Sequence, residues 1–262
     1  MLASERQRLI KEHALIYGQV SIPEIAQKFN VSVETIRRDI NILCQKNILK
    51  KVHGGAVPVQ VPVREDAYDI RYYKNQREKS VIAEYIASNM IDDNDSIAIS
   101  SGSTMEILAG SISKRNLVIV TNSINVASIL QKRIRQNIMS GEVIILGGTI
   151  HPDEHYTSGV FALEMLKKFF FTKAFLGASA VSDRDLMTSN IDEGVIMTAM
   201  INHSKFCCVA ADSSKFDVRS TYKYADIAEI DAIVTEESDR ISEEILMTFK
   251  SANVAFHKAP IT

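Results

Sequence analysis

No apolar run in the sequence approaches the roughly 18 residues that a membrane-spanning helix needs. The N-terminus also lacks the charged-then-apolar layout of a secretory signal. These absences lead us to expect a cytoplasmic protein with no membrane partner. Cysteine is scarce, with only Cys44, Cys207 and Cys208, the last two adjacent. An odd count without metal-ligand spacing excludes a disulfide framework and a zinc cluster, so the thiols read as small buried hydrophobes in a reducing compartment. No internal repeat or low-complexity stretch is present, and no Gly-Lys-Ser/Thr follows a glycine loop, which excludes a Walker-type nucleotide hydrolase. No motif calls for a cofactor or a metal ion.

What is present is a globular composition, 46% hydrophobic and 24% charged over 262 residues, enough for one large domain or two ordinary ones. The charge is uneven. Residues 1–60 carry nine Lys/Arg against five Asp/Glu, whereas the remainder carries 21 against 27. A cationic head on an acidic body suits a nucleic-acid reader attached to something that is not one.

The head, residues 1–57, reads as three helices and a hairpin. Ser4 to Tyr17 places Leu9, Ile10, Ala14 and Tyr17 on one helical face, and Gly18 ends it. Ser21 with Glu24 reads as a capping box for a second helix carrying Ile22, Ile25, Ala26 and Phe29, with Pro23 tolerated in its first turn. Asn30 suits the positive φ of a tight turn, and Ser32 is the expected N-cap of a third helix. On that helix Val33, Ile36, Ile40 and Leu43 share the core face. Glu34, Arg38, Asn41 and Gln45 then lie roughly opposite, with Thr35 and Arg37 on the flanks. Arg forks onto guanine and Asn or Gln onto adenine, so this set equips the helix to read base edges, although the same residues also suit a solvated face. From Asn47 to Val57 the chain reads as strand, Gly-Gly turn and strand, with Lys50, Lys51 and His53 at phosphate-backbone positions. A surface histidine with no role fits His53 equally well. The expected DNA-contacting set is thus Ser32, Glu34, Thr35, Arg37, Arg38, Asn41, Lys50, Lys51 and His53. The architecture is a winged helix-turn-helix, and the partner is double-stranded DNA.

Residues 58–75 are a linker in this reading. Pro58 and Pro62 exclude a helix and favour an extended, stiff segment, followed by a charged and aromatic stretch. From residue 76 to 262, strands expected at 96–100, 117–121, 143–146, 174–176, 206–210, 232–234 and 254–257 alternate with helical patterns. Near-continuous apolar strands between helices imply an α/β domain, its mostly parallel sheet covered on both faces. Ligands of such sheets bind beyond the carboxyl ends of the strands. There the chain places Ser101-Gly102-Ser103-Thr104, Thr121-Asn122-Ser123, Gly147-Gly148-Thr149, Gly177-Ala178-Ser179 and Asp212-Ser213-Ser214-Lys215. Singly, each is an ordinary turn between strand and helix; together they suggest an oxyanion pocket. The first leads straight into a helix and offers backbone N–H groups to a phosphate, with Lys79 and Lys215 as point charges. The expected effector-binding set is Lys79, Ser101, Gly102, Ser103, Thr104, Thr121, Asn122, Gly147, Gly148, Asp212 and Lys215.

The run Val31-Ser32-Val33-Glu34-Thr35-Ile36-Arg37-Arg38-Asp39-Ile40, with Lys51-Val52-His53-Gly54-Gly55-Ala56 after it, resembles the DeoR family of bacterial transcriptional regulators, whose pattern is V-S-x-x-T-I-R-R-D-L and then a basic residue with V/T-H-G-G-A. Ile40 for Leu is the one change in the first run. The likeness extends through Arg77–Ala83, Ser101–Thr104, Thr121–Ser123, Leu146–Gly148 and Asp212–Phe216, which match the family's sensor domain in order. That domain is similar in fold to ribose-5-phosphate isomerase, whose phosphate loop also reads G-S-T before a helix. The resemblance implies a phosphorylated sugar or related metabolite as effector, a homo-oligomer (dimer or tetramer), and repression of carbohydrate-metabolism genes that the effector relieves. Many members carry an acid where this chain has Ser100, which leaves the identity of the sugar open. Two other readings compete. A sugar-phosphate isomerase with a DNA-binding head needs a carboxylate base, for which Asp212 is the candidate, but the acidic Asp-Gly-Ala-Asp-Glu run of the isomerase is absent. A protein–protein adaptor predicts no salt-dependent DNA affinity. The reading we carry forward is a regulator, not an enzyme.

Overall fold

A computed structural model describes residues 2–17, 19–46, 48–52, 54–58 and 68–261. Gly18, Asn47, His53 and the segment 59–67, including Pro62, lie outside the described residues. The chain divides into two compact units, Met1–Lys74 and Asn75–Thr262.

The first unit runs α1 (Ala3–Tyr17), β1 (Val20–Ser21), α2 (Ile22–Phe29), α3 (Val33–Gln45), β2 (Leu49–Val52), β3 (Gly55–Pro58) and α4 (Tyr68–Tyr73). Its three strands form an antiparallel sheet of order β1-β3-β2. Ile10, Ala14, Ile25, Ala26, Ile36, Ile40 and Leu43 from the helices close on Val20, Leu49 and Ala56 from the sheet. Gly55 is needed where β3 crosses β1, because a Cβ there would lie 1.8 Å from the Val20 carbonyl oxygen. Asn30 takes φ 52°, and the Ser32 side chain accepts the Thr35 N–H as an N-cap.

Three local expectations need correction. Ser21 precedes α2 in extended conformation but makes no side-chain cap, because it is committed to the sheet against Gly55; the first amide of α2, that of Ile22, donates instead to the Gly54 carbonyl at 3.1 Å. Tyr17 is 62% exposed and stacks on His13 rather than joining the core. Val33 is 41% exposed; its place on the inner face of α3 is taken by Asp39. The Asp39 carboxylate is buried and receives Arg6 Nε at 2.5 Å and Gln7 Nε2 at 2.9 Å, which fastens α1 to α3. Helix α4 also packs on α1, through a Lys11–Asp69 ion pair and the Tyr73 hydroxyl donating to Glu12 at 2.9 Å. Burial and that carboxylate push the Tyr73 pKa up to about 12.

The second unit continues with α5 (Gln76–Asn89), β4 (Ser96–Ile99), α6 (Ser103–Ser111), β5 (Leu117–Thr121), α7 (Ile124–Arg135), β6 (Gly141–Ile145), β7 (Thr149–His151), β8 (Tyr156–Ser158) and α8 (Val160–Leu166). There follow β9 (Lys173–Gly177), β10 (Ala180–Val181), β11 (Asp185–Thr188), α9 (Ile191–Asn202), β12 (Cys207–Ala210), β13 (Tyr222–Asp226), β14 (Ala232–Glu236), α10 (Glu243–Ser251) and β15 (Ala255–Ala259). Seven strands form one wholly parallel sheet of order β15-β14-β12-β9-β4-β5-β6. Period-two alternation feeds a core on each face. Ala98, Leu176 and Val209 meet α8, α9 and α10 on one side, while Ile97, Ile99 and Phe175 meet α5, α6 and α7 on the other. Adjacent Cys207 and Cys208 consequently enter opposite cores, and burial pushes both thiols up. The hairpin β7–β8 and the antiparallel sheet β10-β11-β13 were not anticipated; strands of two to five residues leave too little periodicity to read. Among the described residues no helix is long and apolar enough to cross a membrane.

Replacing Asp39 by Ala leaves Arg6 without its buried partner, which we expect to cost the first unit about 3 kcal/mol. Thermal unfolding of Asp39→Ala followed by circular dichroism checks this; an unchanged melting temperature would remove Asp39 as the clamp.

Candidate functional site

On the first unit, α3 turns Glu34, Arg37, Arg38, Asn41 and Gln45 into solvent, with Thr35 half-buried. Arg37 is as openly presented as Arg38 and approaches Glu34 at 3.7 Å, a pair too exposed to fix either side chain. Ser32 is occupied as the cap, its Oγ also 2.8 Å from Thr35 Oγ1. Lys50 and Lys51 are exposed on β2. Cations and amides on one open helix, with lysines on the neighbouring hairpin, are what phosphate and base-edge contacts require.

On the second unit, strand order reverses between β4 and β9, and the loops leaving their carboxyl ends diverge. Ser100 pins this point: its Oγ accepts the Gly177 N–H at 3.1 Å and donates to the Ser101 carbonyl at 3.0 Å. The hydroxyl is wholly buried, so it joins two strands. Gly102 follows at φ 118° and ψ 152°, a conformation open essentially to glycine alone, and caps the start of α6. Ser103 begins the helix, and the buried Lys79 of α5 donates to its Oγ at 3.0 Å. The geometry thus unites Lys79, Gly102, Ser103 and Thr104 at one helix N-terminus, where the positive helix end favours an anion.

Ser101 faces the other way. Its hydroxyl donates at 2.6 Å to Glu193 Oε1, whose second oxygen receives Thr188 Oγ1 at 2.6 Å. Glu193 was missed because it stands third in α9 after the Asn190 cap, where a glutamate reads as an ordinary first-turn acid. Its contact with Ser101 spans 92 residues of sequence.

The remaining expected residues have largely local partners. Thr121 Oγ1 accepts the Ser123 N–H at 3.0 Å, and Asn122 Nδ2 donates to the Thr157 carbonyl at 3.2 Å. Gly147 and Gly148 lie beyond the edge strand β6, where a Cβ on Gly148 would come within 2.2 Å of the Ser158 carbonyl oxygen. Asp212 receives Asn75 Nδ2 at 2.7 Å and the Ser214 N–H at 3.2 Å, and Lys215 lies in the same turn. Asp212 follows β12, which β9 separates from β4.

Family descriptions match both units: the DeoR-like helix-turn-helix domain over residues 6–60 and the DeoR C terminal sensor domain over residues 74–237. The HTH-type transcriptional repressor GlcR of Bacillus subtilis (strain 168) is 26% identical over 257 residues, covering 95% of this chain and 97% of the relative. The HTH-type transcriptional regulator IolR of the same organism is 32% identical over 255 residues, with the same coverage. A lactose phosphotransferase system repressor of Staphylococcus epidermidis is 30% identical over 233 residues, covering 88% and 91%. Ribose 5 phosphate isomerase A from Neisseria gonorrhoeae aligns with 54% of this chain and 53% of its own at 16% identity and a TM-score of 0.38, a likeness that carries no argument about function.

Gly102→Ala forces a Cβ into backbone space that only glycine occupies easily, although no atom lies within 4 Å to clash. The expected cost is about 1–3 kcal/mol. Thermal unfolding measures it, and no loss of stability would contradict the loop conformation.

Proposed function

This chain belongs to the DeoR family of transcriptional regulators, and from that premise we propose that a phosphorylated sugar, held at the start of α6, controls its grip on operator DNA. It is a DNA-binding regulator and not an enzyme; its relatives are named repressors and regulators. The observation that carries the effector reading is the junction of Lys79 with Ser103 beneath a helix N-terminus that begins at a glycine-only bend. Carbohydrate control fits the lactose phosphotransferase system named for one relative. In this reading Gly102, Ser103, Thr104 and Lys79 hold the phosphate, while Thr121, Asn122, Gly147, Gly148, Asp212 and Lys215 shape the surrounding rim.

A route for the signal supports the same reading. Helix α5 begins where the second unit begins; its N-cap, Asn75, is bonded to Asp212, and Lys79 at the end of its first turn is bonded to the loop. Asn75 sits at φ 55°, a left-handed position. A ligand that draws on Lys79 therefore acts on the very residues through which the chain leaves for the DNA-reading unit. Coupling of about 1–3 kcal/mol between the two sites is enough for a switch. The protein works in the cytoplasm as a homo-oligomer, for which the exposed Val160, Phe161, Ile191 and Val195 of α8 and α9 offer an apolar face.

On DNA, Arg38, Asn41 and Thr35 of α3 read base edges, while Arg37, Lys50 and Lys51 hold phosphates. Arg38→Ala is expected to weaken operator binding about tenfold or more without unfolding the chain. A gel-shift titration tests it and also reports how many copies load per operator; unchanged affinity would sink the recognition-helix assignment, and loading of a single copy would sink the oligomer. Ser103→Glu puts a negative charge where the phosphate binds, so this variant is expected to bind DNA normally and ignore the effector. Release of that variant from DNA by sugar phosphate would show the loop assignment to be wrong.

A further inference from the structure

The Glu193 carboxylate stands 2.6 Å from the Ser101 hydroxyl, at the first residue of the loop proposed to take the phosphate. Two anions exclude each other at this range. A phosphate on the loop therefore lies toward Ser103, Thr104 and Lys79, and Glu193 is left beside the body of the molecule that carries it. Each carboxylate oxygen has two lone pairs, and Glu193 is partly exposed, so a bound hydroxyl can join the donors it already holds, Ser101 and Thr188 among them. Neutral hydroxyl groups are the donors such a position suits.

A second group converges on the same end of α9. Tyr156, in β8, is 1% exposed, and its hydroxyl has no hydrogen-bond partner. The Asn190 side chain reaches its oxygen only as a weak donor, which lowers the pKa slightly, while burial followed by the charges of Glu193, Asp192 and Glu154 raises it. His151 stacks on its ring at 4.4 Å, which fixes the ring plane. Buried polar groups are nearly always paired, and a donor left alone is costly. The fold gives the proton of this hydroxyl no acceptor.

We propose that Glu193 and Tyr156 read the hydroxyl groups of the effector, Glu193 accepting and Tyr156 donating, and that this bracket sets which polyhydroxylated phosphate is preferred. The assignment rests on the phosphate loop proposed above. It divides the site into a phosphate end at Lys79 and Ser103 and a polyol end at Ser101, Thr188, Glu193 and Tyr156.

The test is calorimetric titration of the full-length chain with inorganic phosphate, glucose 6-phosphate, fructose 1-phosphate and ribose 5-phosphate. The quantity read is the affinity of the tightest sugar phosphate divided by that of inorganic phosphate. Glu193→Gln is expected to lower this ratio about tenfold or more, the effect of losing a hydrogen bond to a charged group. Tyr156→Phe keeps the ring and removes a hydroxyl whose proton has no acceptor in the protein, so the ligand-free melting temperature should hold while the ratio falls severalfold. A ratio within about twofold of wild type in either variant overturns the proposal, as does a wild-type ratio no greater than one for every sugar phosphate. Inorganic phosphate binding that is absent from wild type, or that survives Ser103→Glu, refutes the loop reading instead.

Discussion

Where a parallel sheet reverses its strand order, the loops from the two central strands must leave in opposite directions, and a crevice opens between them. In this chain that point lies between β4 and β9, and the sensor unit is arranged around it. The Ser100 hydroxyl bridges the two strand ends, so the crevice has a fixed floor. From that floor Gly102 turns the chain into α6, and α5 brings a buried lysine up from one face. Helix α9 brings a carboxylate from the other core. A cation and an anion thus meet the same short loop at opposite ends. That polarity makes a two-ended ligand, phosphate on one side and hydroxyls on the other, the natural occupant.

The first unit solves a different problem. Among the described residues, ten buried hydrophobic side chains make a small core, and such a core leaves little margin for stability. The Asp39 clamp on Arg6 and Gln7 adds a polar lock inside α3 itself. Because α3 is held from its inner side, its outer side stays open, with Arg37, Arg38 and Asn41 all exposed. The lock and the proposed reading surface lie back to back on one helix, so burial of the carboxylate orients the exposed side chains.

Much of this was legible in the chain. All seven strands of the large sheet announced themselves as apolar runs, and the third helix of the head by its three-and-four spacing, because burial on two faces or on one leaves a strong periodic trace. Val33 reads as a core residue, and the burial of Asp39 is not legible, for a physical reason: periodicity sorts residues by polarity, and a paired buried carboxylate defeats that sorting. Ser21 likewise has the chemistry of a cap, but its backbone was claimed by a strand only two residues long. Of the candidate site, the loop at Ser101–Thr104 and Lys79 could be picked out, since glycine and hydroxyls before a helix carry their own signal. Glu193 and Tyr156 could not. Each is brought to the proposed site by tertiary packing alone, one disguised as a first-turn acid and the other as a core aromatic.

The central claim is that the crevice at β4 and β9 and the outer face of α3 are energetically linked. Linkage is reciprocal, so an effector that changes DNA affinity must have its own affinity changed by DNA by the same factor. The decisive measurement is the dissociation constant of the tightest-binding sugar phosphate, taken with and without saturating operator DNA. The expected difference is about fivefold to 150-fold, equal to the change that the same sugar phosphate causes in operator affinity. Identical constants in the two titrations would contradict it.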